Sequence, residues 1–184
     1  HLALEVLQQG YQVAVTSRNT DDVKDIVAQF PERAVAIQLD VTNATEVTTA
    51  IKQAQERFGR IDVLVNNAGI GYFGAIEESG ETEERRMCEI NFFGGAAVTN
   101  AVLPIMRTQR SGHIVNISSI GGMVAFPGVG FYNATKFAVT GYSEALAKET
   151  APLGIKVTVV APSGFRTDWA GRSANNTTIV IDDY

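Results

Sequence analysis

The sequence contains a single cysteine, Cys88, and only two histidines among its 184 residues. A lone cysteine cannot form a disulfide within the chain, which excludes disulfide scaffolds and multi-cysteine metal sites. No cluster of metal-ligating residues can be assembled from the remaining positions, so no metal site is predicted. Such cysteine usage favours a reducing compartment. We therefore expect a cytoplasmic protein.

Positive charge and long apolar runs are also scarce. Fifteen Lys and Arg stand against twenty Asp and Glu, for a net charge of −5, which is the wrong sign for binding a phosphate backbone. No apolar run approaches the roughly 18 residues that a membrane span needs. We expect neither nucleic acid nor membrane as a partner. With 45% hydrophobic and 19% charged residues, the composition predicts a packed globular protein, with a single domain over residues 1–184.

Short β-branched runs alternate with longer amphipathic segments. Strands are predicted in QVAVTS, AVAIQLDV, IDVLVNNAG, HIVNISS and IKVTVVAPS. Helices are predicted at about 1 to 9, 21 to 30, 43 to 58, 81 to 108 and 130 to 151. The alternation indicates a parallel sheet with crossover helices, and the nearly continuous Val, Ile and Leu of the strands indicates that both faces are covered. The predicted fold is α/β, a doubly wound, Rossmann-like parallel sheet.

Both ends of the chain differ from a complete sheet of this kind. A dinucleotide-binding fold opens with a strand and a glycine-rich turn, whereas this sequence opens with a helical pattern that leads into QVAVTS. We expect the first strand and its turn to precede His1, the last strand to be missing, and QVAVTS not to pair directly with IDVLVNNAG. The tail from about Ser163 to Tyr184 has no clear element and is predicted to be a loop or lid.

One segment imitates the missing turn. Residues 69–74, GIGYFG, match the spacing G-x-G-x-x-G, but the following AIEESGETEE does not begin an apolar-periodic helix. No strand ending in an acidic residue follows about twenty residues later, as the dinucleotide fingerprint requires. We interpret GIGYFG as a loop beside the active site and not as a pyrophosphate-binding turn.

A tyrosine and a lysine form a candidate proton-transfer pair. Tyr132 and Lys136 are four residues apart at the start of a helical pattern, which places both side chains on one helix face. A free phenol has a pKa of roughly 10, but a neighbouring ammonium group stabilises the phenolate. Ser119 follows the strand HIVNIS, thirteen residues before Tyr132, and is expected to face the start of that helix. The three residues predict general acid–base chemistry at the carboxyl edge of the sheet.

Five motifs in order carry a family resemblance. They are NNAG (66–69), Asn91 within EINFFGG, Ser118-Ser119 within IVNISS, YNATK (132–136) and PSGFRT (162–167). In order and spacing, from His1 to about Ser173, the chain resembles the short-chain dehydrogenase/reductase family. The resemblance implies an oxidoreductase that interconverts an alcohol and a carbonyl, acting on a small molecule by hydride transfer with a nicotinamide cofactor.

The resemblance also implies the catalytic roles. Tyr132 would protonate the carbonyl oxygen during reduction and take the proton back in the reverse direction. Lys136 would favour ionisation of that hydroxyl and hold the nicotinamide ribose. Ser119 would hydrogen-bond the substrate oxygen. Asn91, in the middle of the predicted helix 81 to 108, would anchor a water in the proton relay.

Further positions are assigned to the cofactor by the same resemblance. They are Asp40 and Val41 for the adenine, Asn66, Ala68 and Gly69 for the adenosine ribose, and Pro162, Phe165 and Thr167 for the nicotinamide. The strand QVAVTS ends in Ser17 and Arg18, where NAD-binding folds place a carboxylate that accepts from the ribose 2′-hydroxyl. Because Arg18 could pair with a 2′-phosphate, we expect NADP rather than NAD, although Asp21 lies close by.

An alternative function stays open at this point. The chain could be a catalytically silent NADP(H)-binding sensor or regulatory protein. The joint presence of Ser119, Tyr132 and Lys136 argues against a sensor, which would have no chemical need for all three. The fold does not specify the substrate. Aromatic residues nonetheless indicate an apolar pocket wall, namely Phe73, Phe126, Phe165 and Trp169.

Self-association is expected from one apolar helix. The segment EINFFGGAAVTNAVLPIM is apolar on most of its circumference, and a helix of that kind must be buried. One face can pack on the sheet, and the other requires a partner. The family commonly pairs this helix, and the helix carrying Tyr132, across a two-fold axis, which implies a homodimer or homotetramer.

Overall fold

Strands and helices alternate along the chain in a computed structural model that describes residues 1–164, 171 and 173–184. The strands are β1 (Val13–Ser17), β2 (Ala34–Gln38), β3 (Val63–Asn66), β4 (Gly71–Phe73), β5 (Gly112–Ile117), β6 (Ile155–Val160) and β7 (Ala174–Asn176). The α-helices are α1 (Leu2–Gln8), α2 (Lys24–Gln29), α3 (Ala44–Phe58), α4 (Glu81–Cys88), α5 (Gly95–Gln109) and α6 (Gly130–Thr150). Short 3₁₀ turns lie at Thr20–Val23, Ile120–Gly122 and Ala151–Leu153.

The strands pair in parallel throughout the described residues. β1 pairs with β2, and β5 pairs on its two sides with β3 and β6. The predicted α/β fold with a parallel sheet is therefore confirmed. Within the described part of the chain β1 and β3 are not paired with each other, as expected from the sequence.

Two apolar clusters hold helices against these strands. In the first, Ile37 of β2, Val47 and Ala50 of α3 and Val98 of α5 are buried, and Leu64 of β3 packs on them. The second cluster joins α5, β5, α6 and β6, and its buried residues are Val102, Met106, Ile114, Leu146 and Ile155. Because α5 contributes to both clusters, it packs against the β1–β2 pair and the β3–β5–β6 sheet and holds them together.

Local capping explains why α3 follows the predicted bounds so closely. The Asn43 side chain accepts hydrogen bonds from the backbone N–H groups of Thr45 and Glu46, which satisfies donors that the first helical turn leaves without partners. At the other end Gly59 adopts a left-handed conformation with φ of 76°, where a residue with a Cβ would be strained. The prediction of a helix at 43 to 58 is confirmed.

The predicted helix 81 to 108 is interrupted, so that prediction is wrong over six residues. Between α4 and α5 the segment Glu89–Gly94 is a π-helix. The Asn91 amide oxygen accepts a 2.8 Å hydrogen bond from the backbone N–H of Ile70, and its nitrogen donates to the Ile70 carbonyl at 2.9 Å. A π-helical turn changes the direction in which a side chain leaves the helix. Here it directs Asn91 towards the loop that contains Ile70, 21 residues earlier in the chain.

Two predicted loops contain a strand. Ala174–Asn176 forms β7, so the loop prediction for the tail is wrong at these residues, and Gly71–Phe73 within GIGYFG forms its parallel partner β4. The next α-helix after GIGYFG begins only at Glu81, which agrees with our decision against a pyrophosphate turn. β2 also ends earlier than predicted, at Gln38, so Asp40 and Val41 lie in the turn that follows it.

None of the helices in the part of the chain that the structure describes is long and apolar enough to cross a membrane.

Candidate active site

Strands β3, β5 and β6 end at a common edge. Asn66 of β3 is in register with Asn116 of β5, and Ile117 of β5 is in register with Val160 of β6. The residues that follow these strands, including Ser119 and Pro162, therefore emerge on one side. The sequence-based expectation that the NNAG and ISS motifs line one edge of the sheet is confirmed.

Ser119 and Tyr132 lie on either side of Gly121. A Cβ placed on Gly121 would be 3.5 Å from both Ser119 Oγ and Tyr132 Cε1, so both side chains lie close to this residue. The same Cβ would be only 2.8 Å from Asn133 Oδ1, which is why a glycine is needed here. The backbone N–H of Gly121 donates to Ser119 Oγ at 3.1 Å. Because Ser119 accepts this bond, its own hydroxyl hydrogen can be donated to another oxygen.

Lys136 is buried one helical turn after Tyr132. Its Nζ lies 5.6 Å from the centroid of the Tyr132 ring and donates a 3.0 Å hydrogen bond to the carbonyl of Ile117, at the end of β5. The side chain is only 5% exposed. Burial disfavours the charged form and lowers the pKa of Lys136 to about 8, so the ammonium form still predominates at pH 7.

Asn91, in the π-helical segment, is connected to Tyr132 by hydrogen bonds through Thr135. Its Nδ2 donates to Thr135 Oγ1 at 3.1 Å, and Thr135 Oγ1 donates to the carbonyl of Tyr132 at 2.8 Å. With a second bond to Ile70, both amide hydrogens of Asn91 are used within the protein, which leaves only acceptor atoms for a water. A Cβ on Gly69 would lie 3.5 Å from both Asn91 Oδ1 and Lys136 Nζ. The four predicted catalytic residues therefore lie around Gly69 and Gly121.

A buried polar network that sequence reasoning missed holds this edge together. The Asn66 amide nitrogen donates to Thr99 Oγ1 of α5 at 2.9 Å and to Asn116 Oδ1 of β5 at 2.8 Å. Asn116 in turn donates to Ser143 Oγ of α6 at 2.8 Å. The signal in the sequence was an asparagine inside the apolar strand HIVNIS. Because both amide hydrogens of Asn66 are used in these bonds, its amide oxygen and its backbone are left for the ligand contact that the resemblance implies.

The cofactor positions Ser17, Arg18, Asp40 and Val41 lie at or just after the ends of β1 and β2. The side chain and backbone of Thr42 donate to the Asp40 carboxylate, and together with nearby Arg18 they hold the pKa of Asp40 below its ordinary value. Arg18 is exposed. Ser17 donates to the carboxylate of Asp22 at 3.3 Å. The neighbouring acid Asp21, which the sequence left as a complication, instead pairs with Lys24 at 3.8 Å.

The remaining assigned positions differ in what the structure shows. The Pro162 carbonyl accepts a 2.8 Å hydrogen bond from the backbone N–H of Ile120, which fixes the end of β6 beside Ser119. Ala68 is exposed, and Val41 packs against Gly94 of the π-helical segment. Phe165, Thr167 and Trp169 lie outside the described residues.

The parallel α/β fold, with Ser119, Tyr132 and Lys136 together at its carboxyl edge, defines a Rossmann-like domain. Comparison with known proteins identifies the family to which this domain belongs. A model of the short chain dehydrogenase family matches residues 1–178. The chain belongs to this family of oxidoreductases, as its motifs indicated.

Individual relatives agree with this assignment. The chain is 44% identical to a 3-ketodihydrosphingosine reductase of Bacteroides thetaiotaomicron over 178 residues, which is 96% of this chain and 64% of that protein. It superposes on a short-chain dehydrogenase from Streptomyces avermitilis with a TM-score of 0.90 and 44% identity, covering 96% of this chain and 67% of the other. A structure of ElxO with NADP bound matches with a TM-score of 0.83 and 40% identity, covering 88% and 67%. The chain thus spans about two-thirds of the length of these proteins.

Proposed function

We propose that the protein is an NADP(H)-dependent oxidoreductase that interconverts an alcohol and a carbonyl compound, with Tyr132 as the acid and base. The arrangement of Ser119, Tyr132 and Lys136 carries this proposal. Ser119 Oγ and the Tyr132 ring flank Gly121, and the Lys136 ammonium lies 5.6 Å from the centre of that ring. A positioned hydroxyl, a proton donor and a buried cation are what carbonyl reduction requires of a protein.

Each residue has a distinct task in reduction. Ser119 uses its hydroxyl hydrogen to hold the carbonyl oxygen. Tyr132 delivers its proton to that oxygen as the alcohol forms, and recovers it during oxidation. Lys136 stabilises the negative charge left on the Tyr132 oxygen, in a site where burial strengthens the attraction between the two groups. Asn91 holds the π-helical turn and the Ile70 loop against this group.

The edge of the sheet offers a cradle for a nicotinamide cofactor. At Gly69 a Cβ would come within 3.5 Å of Asn91 Oδ1 and Lys136 Nζ, so the absence of a side chain leaves room beside both polar groups. Lys136, Gly69 and Pro162 would hold the nicotinamide half, and Asp40 and Val41 the adenine. When bound, the nicotinamide supplies or accepts the hydride. The exposed Arg18 beyond β1 and the NADP bound in the related ElxO structure support NADP over NAD.

Replacement of Tyr132 by phenylalanine tests the proposal. A positioned general acid contributes roughly 10²–10⁴ in rate. Tyr132→Phe is therefore expected to lower kcat by that factor on a carbonyl substrate that the protein without a substitution, here called the parent, reduces. NADPH affinity and melting temperature should stay close to the parent values. A Tyr132→Phe variant with near-parental kcat would disprove the role of Tyr132. If the parent binds NADPH but reduces no carbonyl compound, the sensor function is favoured instead.

A further inference from the structure

Two segments that border Tyr132 carry no charged side chain. They are residues 63–76, which run from β3 through β4, and residues 114–135, which run from β5 to Tyr132 and beyond. The carboxylates on the adjoining loop are already engaged, because Glu78 accepts from two backbone N–H groups and Glu77 accepts from the Tyr184 hydroxyl. These two segments offer no counter-charge to a ligand.

Large apolar side chains are exposed on the same segments and on the segment after β7. Ile76 is 68% exposed and Met123 61%, although both are residue types that folding normally buries. The exposed set is Phe73, Ile76, Met123, Val124, Phe126 and Ile179. An apolar patch of this kind beside a polar site is characteristic of a ligand-binding groove.

Hydrogen bonds bring the three segments together around the start of α6. The backbone N–H of Gly74 donates to the Gly128 carbonyl at 2.8 Å, which joins β4 to the loop before α6. Asn133, next to Tyr132, donates to the carbonyl of Phe126 at 2.9 Å. The backbone N–H of Thr177 donates to the Phe73 carbonyl at 2.7 Å. The exposed apolar residues therefore lie on three segments that meet around the start of α6, where Tyr132 lies.

We propose that this surface, here called the apolar groove, binds the body of the substrate and that the substrate is a neutral carbonyl compound with an extended hydrocarbon part. The inference rests on the proposed oxidoreductase function and adds the substrate class to it. A charged substrate body would lose its hydration against these apolar side chains, which offer it no charged partner, and that loss is costly. A hydrocarbon body gains from every CH₂ that it removes from water against the groove.

A series of substrates tests the groove directly. With NADPH as the reductant, kcat/KM is measured for unbranched methyl ketones of increasing length and for keto acids of matched length. We expect kcat/KM to rise by up to about fourfold for each added CH₂ until the groove is filled. The matched keto acids should be at least about tenfold poorer substrates, because residues 63–76 and 114–135 offer a carboxylate no counter-charge. A flat series, or a preference for the keto acids, would overturn the inference.

Variants at Met123 test whether the dependence of kcat/KM on chain length arises in the apolar groove. Met123→Asp is expected to lower kcat/KM for the longest ketone by about tenfold or more, mainly through KM, because it places a charge against the hydrocarbon. Met123→Leu keeps the apolar surface and should retain the parental length dependence. Leu2→Asp, at a side chain that is 56% exposed on α1, is the control for a charge introduced elsewhere.

Other results separate the groove from its alternatives. If Met123→Asp changes the molecular mass in solution or the melting temperature while the length dependence persists, protein covers this surface and the inference is wrong. If the parent reduces keto acids well and Tyr132→Phe abolishes that activity, only the substrate class fails. If no carbonyl compound is reduced at all, the proposed function fails first.

Discussion

The carboxylate of Glu78 accepts a 2.9 Å hydrogen bond from the backbone N–H of Ile181, although 103 residues separate the two. Its other oxygen accepts from the backbone N–H of Ala75 at 2.9 Å, and its backbone carbonyl accepts from Thr177 Oγ1 at 2.6 Å. Glu78 is a buried residue, 9% exposed. It joins the loop before α4 to the segment after β7, which lines the apolar groove.

Replacement of Glu78 by glutamine is expected to release that segment. A glutamine has one acceptor oxygen, and its NH₂ group would face a backbone donor where the carboxylate accepted two bonds. Hydrogen exchange in residues 173–181 should become faster in Glu78→Gln. Glu77→Gln is the matched control, because Glu77 is exposed and its carboxylate accepts from the side-chain hydroxyl of Tyr184. Equal exchange in both variants would contradict the prediction.

The same carboxylate predicts a pH dependence. Hydrogen bonds from the backbone of Ile181 and Ala75 lower the pKa of Glu78 below its ordinary value of 4.5. A group with a lowered pKa in the folded state contributes stability above its unfolded pKa and loses it as pH falls through the folded value. The difference in melting temperature between the parent and Glu78→Gln should therefore be constant near neutral pH and shrink below about pH 4.5.

Lys136→Met is expected to abolish turnover and yet to stabilise the protein without cofactor. Burial lowers the pKa of Lys136 from 10.5 to about 8. Below pH 8 the folded state therefore contains a buried positive charge, which lowers the free energy of unfolding. Between pH 8 and 10.5 the folded state binds fewer protons than the unfolded state, and parental stability rises with pH. Each pKa unit corresponds to about 1.4 kcal/mol.

Thermal unfolding of the parent and Lys136→Met from pH 6 to 10 checks this prediction. The advantage of the variant should be largest near pH 7 and decline above pH 8. Loss of the hydrogen bond to the Ile117 carbonyl reduces the advantage at every pH by the same amount. A difference that does not vary with pH would show that the buried charge carries no such cost.

Two glycines are expected to respond oppositely to alanine. A Cβ on Gly122 would lie 2.6 Å from the Lys136 carbonyl and against Ser118 Oγ, so Gly122→Ala should destabilise the protein by about 1–3 kcal/mol. Gly141, in α6, has no atom within 4 Å of its Cβ position. Gly141→Ala should stabilise by about 0.5–1 kcal/mol because alanine is the better helix former. Urea unfolding of both variants measures the difference, and a loss in both would contradict it.

Arg18→Ala should weaken NADPH binding selectively. A hydrogen bond to a charged group contributes roughly 1.5–3 kcal/mol, so the dissociation constant for NADPH should rise about tenfold or more while that for NADH stays unchanged. Fluorescence titration measures both constants. Lys24→Ala is the control, since Lys24 is an exposed cation nearby that pairs with Asp21. An equal loss for both cofactors would show that Arg18 does not contact the 2′-phosphate.

Self-association is expected to depend on two exposed phenylalanines. Phe93 of the π-helical segment is 53% exposed and Phe137 of α6 is 44% exposed. Phe92 stacks edge-on against Tyr142, which fixes the π-helical segment beside α6. Phe93→Asp should convert a dimer or tetramer into a smaller species in light scattering at micromolar concentration. A parent protein that is already monomeric there would contradict the prediction.

Several features of this protein could be predicted from the sequence because their causes are local. The strand and helix alternation follows from side-chain periodicity, and the bounds of α3 follow from Asn43 and Gly59 at its ends. The spacing of Tyr132 and Lys136 places them on one helix face whatever surrounds them. The carboxyl-edge position of Ser119 follows from the parallel order of the strands. The positions of these residues can be predicted without knowing which distant segments they contact.

The features that sequence reasoning missed all have distant partners. Only the tertiary structure places Ile70 beside Asn91, and that contact accounts for the π-helical turn within an otherwise regular helical pattern. β4 and β7 are three residues each, too short for a periodic signal, and each is stabilised by the other about a hundred residues away. The burial that lowers the pKa of Lys136, and the buried Glu78 carboxylate, likewise arise from segments that meet only in the fold. Periodicity records how a residue relates to its neighbours in the chain, whereas desolvation and hydrogen bonding depend on which segments are in contact.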